Sequence, residues 1–252
     1  MKKIYNKTNQ EWHLNSSNDN FWIKWRYEEI LKALKASGIS LNNNYNCLDV
    51  GSGVSNFAEK IEKNSNFIVD QFDVDKKLFD KKVITKGKFY FYDINSKEIR
   101  FKNKYDIIFL MDVLEHIEND EMFFNNLEFY LKNDGKIIVN VPSLQIFYSK
   151  YDVAVGHYRR YTKTKIKKII DQKKYDTKMY YWGLLLIPLL FLRKIINLFQ
   201  GNQNKIISSG MSTKNVLVRS ILNILRFIEV SLPSKLRFIG SSLIVISKKK
   251  NV

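Results

Sequence analysis

The stretch "LDVGSGVSNFAEKI", residues 48–61, decides how the rest of the chain is read. An apolar run ending at Val50 passes into Gly51-Ser52-Gly53 and then into a helical pattern. Glycines there let the backbone turn tightly and approach a ligand where a Cβ would clash. A glycine pair alone is a weak signal, and two neighbours qualify it. Asn56 stands where a dinucleotide fingerprint carries its third glycine. Asp49, two residues before the first glycine, would oppose a pyrophosphate and suits a cationic ligand.

Working outward, "NCLDV" (46–50), "NFIVDQFDV" (66–74), "KFYFYDI" (88–94), "YDIIFLMDV" (105–113) and "GKIIVNVP" (135–142) read as five strands. Helical patterns lie between them, notably "NFAEKIEK" and "DEMFFNNLEFYLK" (120–132), the latter stopped by Asn133-Asp134-Gly135. This alternation implies a parallel sheet with helices on both faces and ligands at the carboxyl ends of its strands. Upstream, "FWIKWRYEEILKALK" (21–35) offers Trp22, Trp25, Ile30, Leu31 and Leu34 to one broad helical face. Residues 184–230 hold two helical patterns, "PLLFLRKIINLF" and "NVLVRSILNILRFIEV". In the second, Arg219, Asn223 and Arg226 form a narrow polar stripe. "SSLIVISKKK" (241–250) reads as a final strand with a basic tail. The expected layout is one domain: a helical cap over 1–40, a core over 41–181, a helical insertion over 182–235, and the last strand with its tail over 236–252.

A hydrophobic fraction of 45% and an aromatic fraction of 14% exclude global disorder. The single cysteine, Cys47, excludes a disulfide framework or a cysteine-rich zinc site and fits a reducing compartment. "MKKIYNKTNQEWHLN" lacks the apolar stretch of a secretory signal. The longest apolar run, "YYWGLLLIPLL" onward to Leu192, contains Pro188, is stopped by Arg193 and Lys194, and is shorter than the ~20 residues of a spanning helix. A cytoplasmic, soluble or peripheral protein is expected. The formal charge of +17 favours anionic partners, with a general Lys, Asn and Ile richness as the bland alternative.

Two further carboxylates specify the ligand. Asp73 ends the second strand, where a carboxylate accepts hydrogen bonds from a ribose diol; Asp75, its competitor, already belongs to the following loop. Asp93-Ile94 ends the third strand, suited to an exocyclic amine and an adenine face. A nucleoside with an amino group, a positive charge and no diphosphate is S-adenosylmethionine. "LDVGSG", "FDVD", "YDINS", "YDIIFLMDVLEHIEND", "YLKNDGKIIVNVPS" and "GHYRRYT" resemble, in order over about residues 45–163, the class I S-adenosylmethionine-dependent methyltransferases of the type-11 and type-12 domain families. The closing "IGSSLIVISKK" resembles their antiparallel last strand. The resemblance implies an α/β, Rossmann-like, seven-stranded, mostly parallel sheet, with the N-terminal cap and the insertion added. It places Asp49, Gly51 and Gly53 at the methionine end, Asp73 on the ribose, Asp93 and Ile94 on the adenine, and Asp112 and Val113 under the sulfonium. Ser55, where many members carry glycine, and Asn133-Asp134-Gly135, where Pro-Gly-Gly is usual, depart from the pattern.

On the acceptor side, a base of near-neutral pKa is the natural search target for deprotonating a hydroxyl. His157 or Asp152 is the expected base, with His116 as a further candidate. Arg159, Arg160 and Tyr161 are the expected substrate contacts, one arginine alternatively pairing with a cap carboxylate. His13 is expected on the surface of the cap. No metal is expected; a minor alternative holds one on Asp112, Glu115 and His116, because resembling enzymes that methylate quinone or RNA hydroxyls carry an acid-x-x-Glu-His motif there. Through "GHYRRY" the chain resembles bacterial enzymes of surface-polysaccharide or lipid metabolism. That implies a small-molecule, glycan or lipid-linked acceptor and leaves room for peripheral contact with an anionic membrane. Nucleic-acid methylation ranks lower, since "MDVLEH" stands where an Asn/Asp-Pro-Pro-aromatic motif would be. A non-catalytic scaffold that binds S-adenosylmethionine is the third reading.

Overall fold

The computed structural model describes residues 21–80, 82–199 and 216–250; the expected surface residue His13 lies outside them. Its strands are β1 (Asn46–Val50), β2 (Ile68–Asp73), β3 (Phe89–Phe91), β4 (Tyr105–Met111), β5 (Leu131–Pro142), β6 (Tyr175–Trp182) and β7 (Ser242–Lys249). They form one sheet in the order β3-β2-β1-β4-β5-β7-β6. β7 runs antiparallel to both its neighbours, and the remaining pairs are parallel. The helices of four residues or more are α1 (Phe21–Ala36), α2 (Asn56–Lys63), α3 (Lys76–Phe79), α4 (Asp120–Asn126), α5 (Lys150–Ala154), α6 (Lys163–Ile169), α7 (Ile187–Phe199) and α8 (Val216–Ser231).

Central strands are apolar on both faces because helices cover both. Ile108 and Leu110 of β4 join one buried cluster with Phe123, Phe124 and Ile166. Ile107 and Phe109 join the other, with Trp25, Phe57 and Leu222. That is the period-2 split expected of a doubly covered parallel sheet.

Two sequence expectations change. The helix expected over 120–132 stops at Asn126, and a 3-10 turn at Leu127–Phe129 leads straight into β5. Asn133-Asp134-Gly135 therefore lies inside a strand that starts at Leu131, where pairing with β4 shifts register. Burial of Tyr130 and Leu131 beside Tyr105 outweighs the helical pattern. The seventh strand, β6, carries the polar Asp176, Thr177 and Lys178 at an edge, and its weak alternation hid it in the sequence.

The insertion is tied to the cap by buried ions. Glu229 of α8 is fully buried and accepts from the backbone N–H of Gly183, Leu184 and Leu185, the turn that feeds α7. Arg237 lies between Glu229 (3.3 Å) and Glu29 of α1 (2.8 Å). Burial pushes the Glu29 carboxyl up, opposed by the Arg237 charge. Arg226 pairs with Glu28, and Lys32 donates to the carbonyls of Val230 and Leu232. Removing one member of a buried ion network strands the others, at a typical cost of about 3–5 kcal/mol. Glu229→Ala is accordingly expected to lower the unfolding free energy by about that amount in chemical denaturation; a loss below about 1 kcal/mol would remove the carboxylate from this structural role.

Candidate active site

The glycine turn sits between the carboxyl ends of β1 and β2. Gly51 and Gly53 have φ of 70° and 59°. A Cβ at Gly51 would lie 2.8 Å from a Val113 methyl, so this glycine also admits Val113. Ser55 takes φ 71°, which explains why glycine suits this position. The Asp73 carboxylate accepts from the Gly53 N–H at 2.9 Å and the Asp75 N–H at 2.8 Å, holding both turns. Burial nevertheless pushes it up to about 6. Asp75 caps α3 by accepting from the Lys77 N–H. Asp93 likewise caps the 3-10 turn at Ile94–Ser96, accepting from Asn95 N–H, while Ile94 is buried.

Asp49 is poorly compensated beside the glycine turn. It is buried, its Oδ2 has no hydrogen-bond partner among the described residues, and burial pushes its carboxyl up to about 8. The Arg26 charge opposes that shift and the Asp73 charge adds to it. The Ser52 and Ser55 hydroxyls are buried and unpartnered as well among the described residues. An orphaned carboxylate oxygen, two orphaned hydroxyls and a glycine cradle fit a polar cationic cofactor.

Asp112 sits at φ 60°, just past β4. Its carboxylate pairs with Arg26 of α1 and accepts from Asn140 Nδ2 at 2.5 Å, and Asn140 Oδ1 accepts from Trp182 Nε1 at 2.8 Å. Sequence reasoning missed Arg26. The available signal was a cation beside Trp25, within the buried face of an amphipathic helix.

The two acceptor-side motifs are stitched together. Tyr158 N–H donates to Glu115 O, Arg159 donates to Glu118 O, and Tyr161 Oη contacts Leu114 O and Asp120. Asp152 is fully buried: it completes the capping box of α5, binds Arg160 at 2.8 and 3.2 Å, and meets His157 Nδ1 at 3.0 Å. Burial pushes its carboxyl up, but the His157 hydrogen bond and the Arg160 charge win and hold it at about 2. Arg160 and Tyr161 are buried in these pairs, which leaves neither side chain exposed as a substrate contact. Arg159 pairs with Asp120 at 2.7 Å and keeps partial exposure.

Glu115, His116 and His157 converge, with one ligand atom from each within 4.8 Å of the others. Glu115 is fully buried with both carboxylate oxygens unpartnered among the described residues. Burial pushes it well above the carboxylate range, the Asp112 charge adding to the effect. His157 Nε2 lies 3.9 Å from Glu115 Oε1, and His116 Nδ1 is 3.2 Å from Gly156 O. The convergent set thus has His157 in place of Asp112, which Arg26 and Asn140 already engage.

A family model described as a methyltransferase domain matches residues 22–201, well over half of the chain. No curated protein sequence matches. Among solved structures, the plantazolicin methyltransferase BpumL, in complex with a monoazolic desmethylPZN analogue and S-adenosylhomocysteine, aligns with TM-score 0.61 at 15% identity, over 97% of this chain and 90% of that one. A methyltransferase bound to the Trm112 activator of Haloferax volcanii aligns with TM-score 0.60 at 9% identity, over 96% and 98%. A SAM-dependent methyltransferase of Archaeoglobus fulgidus gives 0.52 at 15%, over 88% and 94%.

The Asp49 carboxyl has a folded pKa above its unfolded value, so ionising it costs stability. The cofactor-free protein is expected to lose stability as pH rises towards about 8, where that carboxyl ionises. Thermal midpoints measured between about pH 6 and 8 should fall for the wild type and stay flatter in Asp49→Asn; equal slopes would place the ionisation elsewhere.

Proposed function

Because the chain belongs to the methyltransferase domain family and is an S-adenosylmethionine-dependent methyltransferase, we propose that it methylates a hydroxyl of a small-molecule, glycan or lipid-linked acceptor, with His157 as the base. The observation that carries this reading is the Asp152–His157 pair. Asp152, held anionic, accepts from His157 Nδ1. With Nδ1 committed to Asp152, Nε2 is the ring nitrogen left to take a proton, on the Glu115 side. Asp152 is then the positioning residue and not itself the base.

S-adenosylmethionine supplies a methyl group already attached to a good leaving group. The chain supplies the rest: binding, orientation and removal of the acceptor proton. Asp73, held by two backbone N–H groups, would bind the ribose. The orphaned oxygen of Asp49 suits the ammonium of the methionine end, with Gly51 and Gly53 beside it. Asp93 and Ile94 would serve the adenine, and Asp112 and Val113 would lie under the sulfonium. Arg159 is the substrate contact we retain, because its guanidinium is partly exposed. His116, its ring 4.7 Å from that of His157, would orient the base. The buried, free Cys47 supports a cytoplasmic setting. The layout of cap, core, insertion and closing strand is retained as one domain.

A second reading rests on the convergence of Glu115, His116 and His157. His157 Nδ1 engages a carboxylate and His116 Nδ1 a backbone carbonyl, the outer partners typical of metal-bound imidazoles. A divalent cation there would polarise the acceptor hydroxyl. Chelation followed by restoration with one divalent metal separates the readings: activity that survives chelation leaves His157 as the base.

Two measurements test the main reading. Asp73→Ala should weaken binding of S-adenosylhomocysteine by about thirty- to a thousand-fold in calorimetry. His157→Gln should leave that affinity within about twofold while lowering kcat by roughly 10²–10⁴ on an accepted substrate. Wild-type turnover by His157→Gln would end the base assignment.

A further inference from the structure

Helices α7 and α8 present apolar side chains to solvent on a scale unusual for a folded monomer. On α8, Val216, Leu217, Ile221, Ile224 and Phe227 are 49–78% exposed, while only Leu222 and Glu229 are buried. On α7, Phe191, Leu192 and Ile196 are 44–58% exposed. The two helices meet where Glu229 near the end of α8 binds the turn that feeds α7.

Charge says what covers these faces. After Asp176 the only acidic residue is Glu229, which is buried, while Lys and Arg number twelve. Arg219 lies exposed among the apolar residues of α8. A second copy of a chain carrying +17 would be repelled by like charge. Wide apolar faces flanked by cations and free of exposed acids are the pattern of helices that lie in the plane of an anionic bilayer. No helix among the described residues is long and apolar enough to cross one.

We infer that α7 and α8 dock the enzyme on an anionic lipid surface, their exposed apolar side chains entering the headgroup boundary. The docking face borders the acceptor side. Lys194 of α7 donates to Ile146 O, Arg193 stacks on Tyr151 of α5 at 4.3 Å, and Ile146 and Val153 beside them are 72% and 58% exposed. α5 also carries Asp152, the partner of His157. An acceptor held in the bilayer would thus arrive next to the proposed base. Docking itself does not depend on the acceptor reading.

The test is co-sedimentation of the full chain with phosphatidylcholine vesicles, with and without phosphatidylglycerol. Binding is expected to the anionic vesicles, to weaken with added salt, and to be much weaker on neutral ones. Phe227→Glu should lower partitioning at least about tenfold, and Arg219→Glu about fivefold or more. Unchanged affinity for S-adenosylhomocysteine shows that each variant is folded, and it reports on the cofactor site separately. If Phe227→Glu does not fold, Arg219→Glu decides. The proposal is overturned if folded wild type ignores anionic vesicles or if both folded variants bind them as wild type does. It is equally overturned if the wild type dimerises through this face, Phe227→Glu abolishes the dimer, and neither binds vesicles.

Discussion

An excess of buried negative charge at the carboxyl edge of the sheet governs this molecule. Asp49, Asp73 and Glu115 are nearly or fully inaccessible, and burial pushes each carboxyl upward. Asp112 stands with them, and Arg26 is the cation paired there. A low-dielectric site resists such an arrangement unless protons or a cationic ligand compensate. A sulfonium-bearing cofactor relieves the imbalance where a dinucleotide would aggravate it. The glycine turn, the strand ends and α1 are all positioned by what they do with these carboxylates.

The acceptor side obeys a different constraint, full compensation. Asp152 gathers a helix cap, a two-pronged arginine and a histidine, and is held strongly acidic as a result. Because β4 and β5 are neighbours, the segments that leave them run side by side, and "GHYRRY" is bonded to "LEHIEND" along its length. Of the residues in that stretch, Arg160 and Tyr161 hold the wall together. His157 is kept in orientation, with one ring nitrogen committed to Asp152.

The cap and the insertion form one unit. Arg237 joins Glu29 to Glu229, and Glu229 in turn binds the start of the α7 turn. α1 carries Arg26 into the cofactor edge, so the helix that bears the exposed apolar face is linked through α1 to Asp112. The surface proposed to dock on lipid and the carboxyl edge of the sheet share one buried ionic frame.

By itself the sequence determined the sheet's core and the carboxylates and glycines at its strand ends. Those features are local: strand-like runs ending in Gly51 or in Asp73, Asp93 and Asp112 can be read without knowing what lies opposite. It located β6 poorly, because an edge strand with Asp176 and Lys178 shows little alternation. It carried the α4 helix pattern too far, because the burial of Tyr130 and Leu131 beside Tyr105 is a tertiary preference. Only the tertiary structure decided that Arg26 reaches Asp112 across 86 positions, that Arg160 pairs with Asp152, and that His157 meets Glu115. Each of these depends on which charged groups share a buried volume, and sequence spacing does not encode the desolvation that makes such pairings obligatory.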